Sequence, residues 1–238
     1  MPSPKVSPEA VTPLNSLNKI GQITPQEAFR LLESEQGVAR WEPRYDAISE
    51  LLFTILSQHT SDLNALRAFE NLRDAFDGAW EQVALADQKD IAKAIWIGGL
   101  SKVKAPRIKT VLKDIQDKRG NLDLSFLGEM PMSEAKSWLR ELSGVGPKTA
   151  AIVLCFALGM PAMPVDTHIY RVSKRLGFIS AKTTAEQAHD ILEATVDPKQ
   201  VFPFHVYIIT HGRQVCKARR PICNECVLKE GCPSAFQV

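Results

Sequence analysis

The stretch from residue 141 to residue 172, ELSGVGPKTAAIVLCFALGMPAMPVDTHIYRV, decides the fold. Its segment 143–146 predicts a tight turn between a helix over residues 132–142 and a second helix that begins at Pro147. The two glycines permit positive φ angles and close approach of another backbone. Such a turn exposes backbone N–H groups where a phosphate can bind. We therefore predict nucleic-acid contacts at Gly144, Val145 and Gly146, with a plain helical hairpin as the alternative.

Two ionisable residues in the same stretch are candidates for chemistry. Lys148 is the second residue of the predicted helix, where a cation opposes the helix macrodipole and costs stability. A neutral lysine amine can attack a carbonyl-like carbon and form a Schiff base. Asp166 can cap the next helix, and a carboxylate there can also serve as a base or an electrostatic stabiliser. A solvated surface lysine and a purely structural cap are the alternatives, and we expect a structural hydrogen bond for His168.

The rest of the chain also has helical patterns. Capping boxes are predicted at Thr24–Glu27 and at Thr183–Glu186. Pro106 is expected to begin a helix that Gly120 ends. No stretch alternates in the manner of a half-buried strand, so the sequence predicts an all-α fold. The residues spaced along one buried helix face are Ile48, Leu51, Leu52, Ile55 and Leu56.

Four of the five cysteines lie close together near the C-terminal end. Their spacing, C-x6-C-x2-C-x5-C, predicts a metal site rather than disulfides, and it leaves tetrahedral zinc and a [4Fe–4S] cluster open. The fifth, Cys155, lies in an apolar run and is expected in the core. The four candidate ligands are Cys216, Cys223, Cys226 and Cys232. The loop after the first ligand presents three cations as phosphate contacts, namely Lys217, Arg219 and Arg220.

Composition constrains the protein less than these motifs do. A net charge of +2 permits a polyanionic partner without arguing for one, and the basic run over residues 101–119 is typical of a solvated helix face. The longest apolar run, residues 150–160, is too short to span a bilayer. Prolines recur in the first thirteen residues, so we expect residues 1–23 to form a disordered tail.

Three motifs in this order resemble the endonuclease III family of DNA repair glycosylases, within the helix-hairpin-helix superfamily. They are LSGVGPKTA at 142–150, VDTHIYRV at 165–172 and HGRQVCKARRPIC at 211–223, followed by the last two cysteines. The resemblance covers roughly residues 24–235. It implies two all-α domains with a DNA cleft between them. A six-helix domain over residues 43–159 would contain the hairpin, and residues 24–42 and 160–238 would form an iron–sulfur cluster domain.

The resemblance also implies the chemistry. The four cysteines would hold a [4Fe–4S] cluster rather than zinc. Lys148 would be the Schiff-base nucleophile and Asp166 the catalytic carboxylate of a base-excision-repair DNA glycosylase with abasic-site lyase activity, acting on oxidised pyrimidines. A monofunctional glycosylase for uracil or mismatched thymine and a non-catalytic DNA-binding protein are the alternatives. We expect a cytoplasmic, nucleoid-associated monomer that binds double-stranded DNA with damaged bases or abasic sites and does not bind membranes.

Two segments depart from the family pattern. Where the family commonly has Ser-Ala-Gln-Ala-Thr-Asp, residues 57–62 read SQHTSD. The gap-filling glutamine therefore becomes His59 in register, unless Gln58 takes over. Where the family has Gly-Leu-Tyr-Asn-Ser-Lys, residues 99–104 read GLSKVK, so Leu100 stays as the wedge and Ser101 replaces the tyrosine. These four residues are the candidates for the lesion pocket or wedge.

Overall fold

The computed structural model describes residues 21–237. These residues form eleven α-helices, with short 3-10 segments between them and one π-helical segment at Val153–Ala157, and contain no β-strand, so the predicted all-α fold is confirmed. The helices are α1 (Pro25–Gln36), α2 (Ala47–Ser57), α3 (Asp62–Ala75), α4 (Trp80–Leu85), α5 (Gln88–Ala94), α6 (Ser101–Arg119), α7 (Met132–Arg140), α8 (Pro147–Ile152), α9 (Thr167–Leu176), α10 (Ala185–Thr195) and α11 (Val201–Gln214). None of them is both long and apolar enough to cross a bilayer.

The described helices enclose two hydrophobic cores. Helices α2 to α8 supply the buried side chains of the first core, between Ala47 and Ala162. Helices α1, α9, α10 and α11 supply most of the second, together with Leu228 from the cysteine-rich segment. The apolar face predicted for α2 is fully inside the first core. The domain bounds at residues 43 and 160 stay a prediction.

Helix starts follow the local sequence signals in most places. The capping box at Thr24 is present, with Pro25 as the first helical residue. The second box lies one residue later than predicted, at Thr184 with Gln187. Thr183 is not the cap because its hydroxyl accepts a hydrogen bond from the Ser180 N–H group at 3.1 Å.

The predicted start at Pro106 is wrong, because α6 begins at Ser101 and contains this proline. A proline in that position removes one backbone hydrogen bond of the helix. The first turn is instead stabilised by tertiary contacts. Ala105 is buried, and the ammonium group of Lys104 donates hydrogen bonds to backbone carbonyls outside the helix.

The segment over residues 80–94 is interrupted at residues 86 and 87, which divides it into the short helices α4 and α5. The six-helix domain over residues 43–159 stays a prediction. One further expectation needs correction, because the predicted tail extends too far. Residues 1–20 lie outside the described residues, but Ile23 is buried and its N–H group donates to the Gly231 oxygen at 2.9 Å.

Candidate active site and DNA interface

Buried side chains and a backbone hydrogen bond hold the turn of the hairpin between α7 and α8. Leu142 and Val145 are buried, and the Val145 N–H group donates to the Leu142 oxygen at 3.1 Å. Gly144 has a φ angle of +79°, which a residue with a side chain rarely adopts. Within residues 21–237, the N–H groups of Gly144 and Gly146 have no hydrogen-bond partner. The turn can therefore offer these donors to an anion.

Lys148 is exposed directly after this turn. It is the second residue of α8, while Thr149 and Ala150 beside it are buried and hold the helix against the first core. Its ammonium group forms no ion pair in the described part of the chain. The lysine is therefore presented to solvent at the hairpin rather than used in packing, which suits a group that must reach a ligand.

Asp166 caps α9, as one of the sequence-based alternatives proposed. Its Oδ1 atom accepts a hydrogen bond from the Ile169 N–H group at 2.7 Å. The cap occupies one carboxylate oxygen, and the residue is only half-buried. Asp166 can therefore cap α9 and still take part in a reaction, because its Oδ2 atom has no hydrogen-bond partner within residues 21–237.

The charges of both of these residues act on His205. It is only 5% exposed, and its Nδ1–H group donates to the Pro164 oxygen at 3.0 Å. Burial lowers the pKa of His205 to about 4; the Asp166 carboxylate raises this pKa, and the Lys148 ammonium group lowers it. Lys148 and Asp166 are therefore electrostatically linked through one buried imidazole. His205 was not among the candidates from the sequence.

His168 has a structural partner. Its Nδ1 atom lies 3.1 Å from Nη2 of Arg171, which also donates to the Gly212 oxygen at 2.7 Å. A Cβ atom on Gly212 would lie 3.1 Å from the Cβ of His168. Helices α9 and α11 therefore cross closely at this point, and the crossing fixes the helix that Asp166 begins.

The first lesion-pocket segment follows α2. Gln58 is half-buried, and its Oε1 atom accepts a hydrogen bond from Nη1 of Arg107 at 2.6 Å. His59 is exposed and adopts a φ angle of +54°. That left-handed conformation is uncommon for a residue with a side chain and is a local source of strain.

The second lesion-pocket segment precedes α6. Leu100 is 52% exposed and has a φ angle of +50°, while Ser101 is half-buried. Lys104 connects the two segments, since its Nζ atom donates to the Leu56 oxygen at 2.7 Å and to the Gly98 oxygen at 2.9 Å. This lysine is only 3% exposed, and burial lowers its pKa. It was missed because the basic run around it suggested a solvated face.

The four clustered cysteines line one cavity together with His211 and Arg175. Within residues 21–237, no three His, Cys, Asp or Glu side chains are arranged to hold a single metal ion, as tetrahedral zinc requires. Burial raises the pKa of Cys226 to about 11 and also raises the pKa of Cys232. Four thiolates would need a positively charged group among them. Four sulfur donors around one cavity are a ligand set that serves either tetrahedral zinc or an iron–sulfur cluster.

Helix α9 also holds the cysteine-rich loop. Arg171 donates from Nη2 to the Cys216 oxygen at 3.1 Å, and Arg175 donates from Nη1 to the Lys217 oxygen at 2.7 Å. The side chains of Lys217, Arg219 and Arg220 are exposed. These hydrogen bonds fix the start of the loop while the three charges face solvent, so the loop can present cations to an anionic partner.

Cys155 is separate from this group. It is buried in the second core, and burial raises the pKa of its thiol to about 12. A thiol with such a pKa stays protonated at neutral pH and is unreactive.

The comparisons with known proteins agree with this geometry. Residues 52–198 match the sequence pattern of the HhH-GPD superfamily base excision DNA repair protein. Endonuclease III of Sulfolobus acidocaldarius is 34% identical over 188 residues, which are 79% of this chain and 82% of that protein. Two solved structures, a non-covalent endonuclease III–DNA complex and a trapped endonuclease III–DNA covalent intermediate, each align with a TM-score of 0.76 and 26% identity, over 90% of this chain and 98% of theirs.

Proposed function

The chain belongs to the HhH-GPD superfamily of base excision DNA repair proteins, and from that premise we propose that it is a DNA glycosylase with abasic-site lyase activity. The observation that carries the proposal is that Lys148 is exposed at the start of α8, directly after the hairpin turn, and that its charge and the Asp166 charge both act on the buried imidazole of His205. A nucleophilic amine and a carboxylate are the two groups that this reaction needs.

The proposed reaction begins with a base that leaves the helical stack, because its glycosidic carbon is inaccessible inside a duplex. The amine of Lys148 attacks the anomeric carbon; an N–C bond forms as the bond to the base breaks, and the base leaves with the electron pair of that bond. Asp166 stabilises the positive charge that develops on the sugar and accepts a proton from the amine. The sugar ring then opens to a Schiff base, and β-elimination cleaves the strand on the 3′ side of the sugar.

The DNA contacts of this proposal come from three places. The N–H groups of Gly144 and Gly146 would bind one phosphate, and the cations of the cysteine-rich loop would bind others. Leu100 would enter the helical stack as a wedge. The non-covalent endonuclease III–DNA complex is the solved structure that supports DNA as the partner.

The cysteines would hold a [4Fe–4S] cluster. The ligands would be Cys216, Cys223, Cys226 and Cys232, which share a cavity. When bound, the cluster supplies thiolate–iron bonds that fix the loop carrying Lys217, Arg219 and Arg220. The resemblance to the endonuclease III family favours this group over zinc.

The choice of substrate is the most specific part of the proposal. We expect oxidised pyrimidines, from the resemblance to endonuclease III. The test is a panel of duplexes that carry an oxidised pyrimidine, uracil or a mismatched thymine, with base release and strand cleavage scored separately. Base release with coupled cleavage on oxidised pyrimidines supports the proposal. Base release from uracil or mismatched thymine without cleavage would favour a monofunctional glycosylase, and binding without either reaction would favour a non-catalytic protein.

A further inference from the structure

The segment that leads into Asp166 is held by side chains from another helix. Residues 162–165 are buried but form no helix or strand. The Met163 N–H group donates to Oε1 of Glu193 at 2.7 Å, and the Met163 oxygen accepts from the Nδ1–H group of His189 at 2.7 Å. Both side chains belong to α10. The segment therefore takes its position from α10 rather than from a secondary structure of its own.

The short stretch between Met163 and Asp166 can transmit this restraint. Pro164 has a restricted φ angle, and its oxygen accepts the hydrogen bond from His205 at 3.0 Å. The N–H group and the two oxygens of residues 163 and 164 are thus all bonded to side chains. Val165 is buried as well. The position of the Asp166 carboxylate therefore depends on where the Met163 backbone is held.

Glu193 also connects this segment to the hairpin. Its Oε2 atom forms an ion pair with Nζ of Lys136, which belongs to α7, the first helix of the hairpin. The side chains of Lys136 and Glu193 are only 20% and 10% exposed. Separation of such a pair is costly, because it would leave a largely buried charge without its partner. One carboxylate thus joins the segment before Asp166 to the hairpin that carries Lys148.

Helix α10 lies against the second helix of the hairpin too. Three residues of α10, Glu186, His189 and Asp190, line a small cavity together with Pro147 and Ala150 of α8. Burial lowers the pKa of His189, so its ring is neutral at neutral pH and its one N–H group is the donor on Nδ1. The same helix therefore contacts the start of α8 and holds the segment that leads into α9.

We propose that Glu193 is a positioning residue: it holds the segment before Asp166 to the hairpin and so sets the place of the carboxylate relative to the Lys148 amine. This inference rests on the proposed function, which makes Lys148 and Asp166 the reacting groups. A misplacement of about 1 Å that originates far from the chemistry can slow a reaction by about 10²-fold. Glu193 is not one of the proposed DNA contacts, so its loss should slow the reaction without weakening binding.

The test compares the reaction rate with the affinity for DNA. Strand cleavage at an abasic site is measured under single-turnover conditions, and binding is measured on a duplex with a tetrahydrofuran analogue that cannot be cleaved. Glu193→Ala should lower the cleavage rate constant by about 10- to 100-fold and leave the Kd within about twofold of the parent value. Glu186→Gln is the matched control, because it removes an exposed ion pair with Arg140 between the same two helices and should cleave at the parent rate.

A purely structural role for Glu193 would give a different result. It would lower the fraction of protein that borohydride can trap on DNA, while the cleavage rate constant of that fraction stayed at the parent value. The double variant Lys136→Met/Glu193→Gln covers the case in which Glu193→Ala fails to fold. It keeps an acceptor for the Met163 N–H group and leaves no charge without a partner, so it should be as stable as the parent. It should still cleave more slowly because the link to α7 is lost, and a parent rate constant in either variant would overturn the inference.

Hydrogen exchange tests the link without any reaction. Backbone amides of residues 160–170 should exchange faster in Glu193→Ala than in the parent, because the Met163 N–H group loses its acceptor and the segment its support. Equal exchange in the two proteins would overturn the inference. A parent protein that neither cleaves DNA nor is trapped on it would contradict the proposed function, and the exchange rates would still decide whether Glu193 holds the segment.

Discussion

The Nδ1–H group of His205 donates a hydrogen bond of 3.0 Å to the carbonyl oxygen of Pro164, two residues before Asp166. The donor lies on the buried side of α11, and the acceptor belongs to the segment that leads into the candidate catalytic carboxylate. The bond requires a proton on Nδ1. Burial lowers the pKa of the imidazole to about 4, so at neutral pH the ring carries this one proton and no charge.

His205 should make the fold sensitive to acid. In the unfolded chain the imidazole takes up a proton with a pKa near 6.5, whereas in the folded chain its pKa is about 4. The contribution of the buried neutral imidazole to the free energy of unfolding is therefore complete above pH 6.5 and is lost as the pH falls towards 4. The maximum effect is roughly 3 kcal/mol of unfolding free energy. His205→Gln should flatten the stability curve measured by urea unfolding between pH 7 and pH 4. Parallel curves for the two proteins would contradict the prediction.

Local sequence patterns were sufficient to predict the hairpin, the cap at Asp166 and the buried face of α2, because each depends on residues within one or two turns. Arg107 and Gln58 are 49 residues apart in sequence, and His205 and Pro164 are 41 apart. Nothing near these residues in the sequence indicates their partners. The start of α6 was predicted wrongly for a similar reason, because tertiary contacts stabilise the turn that precedes Pro106.

The second prediction concerns the cysteine cavity. Protein purified without oxygen should be yellow-brown and contain about four irons and four sulfides per chain. Cys226→Ser should lose most of the iron and unfold more readily, because metal binding and folding are coupled. Cys155→Ala is the control, since that buried thiol lies outside the cavity and its loss should leave the iron content unchanged. A colourless protein with one zinc would contradict the cluster.

The third prediction concerns the cations of the cysteine-rich loop. Each lysine or arginine that binds a phosphate should add about 0.9 to the slope of log affinity against log salt. Replacing Lys217, Arg219 and Arg220 with alanine should therefore weaken binding to abasic-site DNA and flatten the slope. The control replaces three exposed lysines elsewhere, Lys89, Lys93 and Lys199. Equal slopes for the two triple variants would mean that the loop faces away from DNA.

The fourth prediction concerns the nucleophile. Borohydride should trap the protein covalently on DNA with an abasic site, because it reduces a Schiff base to a stable amine. Lys148→Gln should abolish trapping while keeping fold and DNA binding, since the side chain is exposed at a helix start. Lys148→Arg retains the charge but should also fail, whereas Lys182→Gln, at another exposed lysine, should trap normally. Undiminished trapping by Lys148→Gln would assign the reaction to another amine.

The last prediction separates the two roles of Asp166. Asparagine caps helices about as well as aspartate, so Asp166→Asn should keep the hydrogen bond to the Ile169 N–H group and change stability by less than about 0.5 kcal/mol. It removes the negative charge that the proposed reaction needs, so base release should fall by about 10² to 10⁴. Asp166→Ala should lose both the cap and turnover, and thermal unfolding measured beside single-turnover rates distinguishes the two variants. Full activity in Asp166→Asn would leave this carboxylate with a structural role alone.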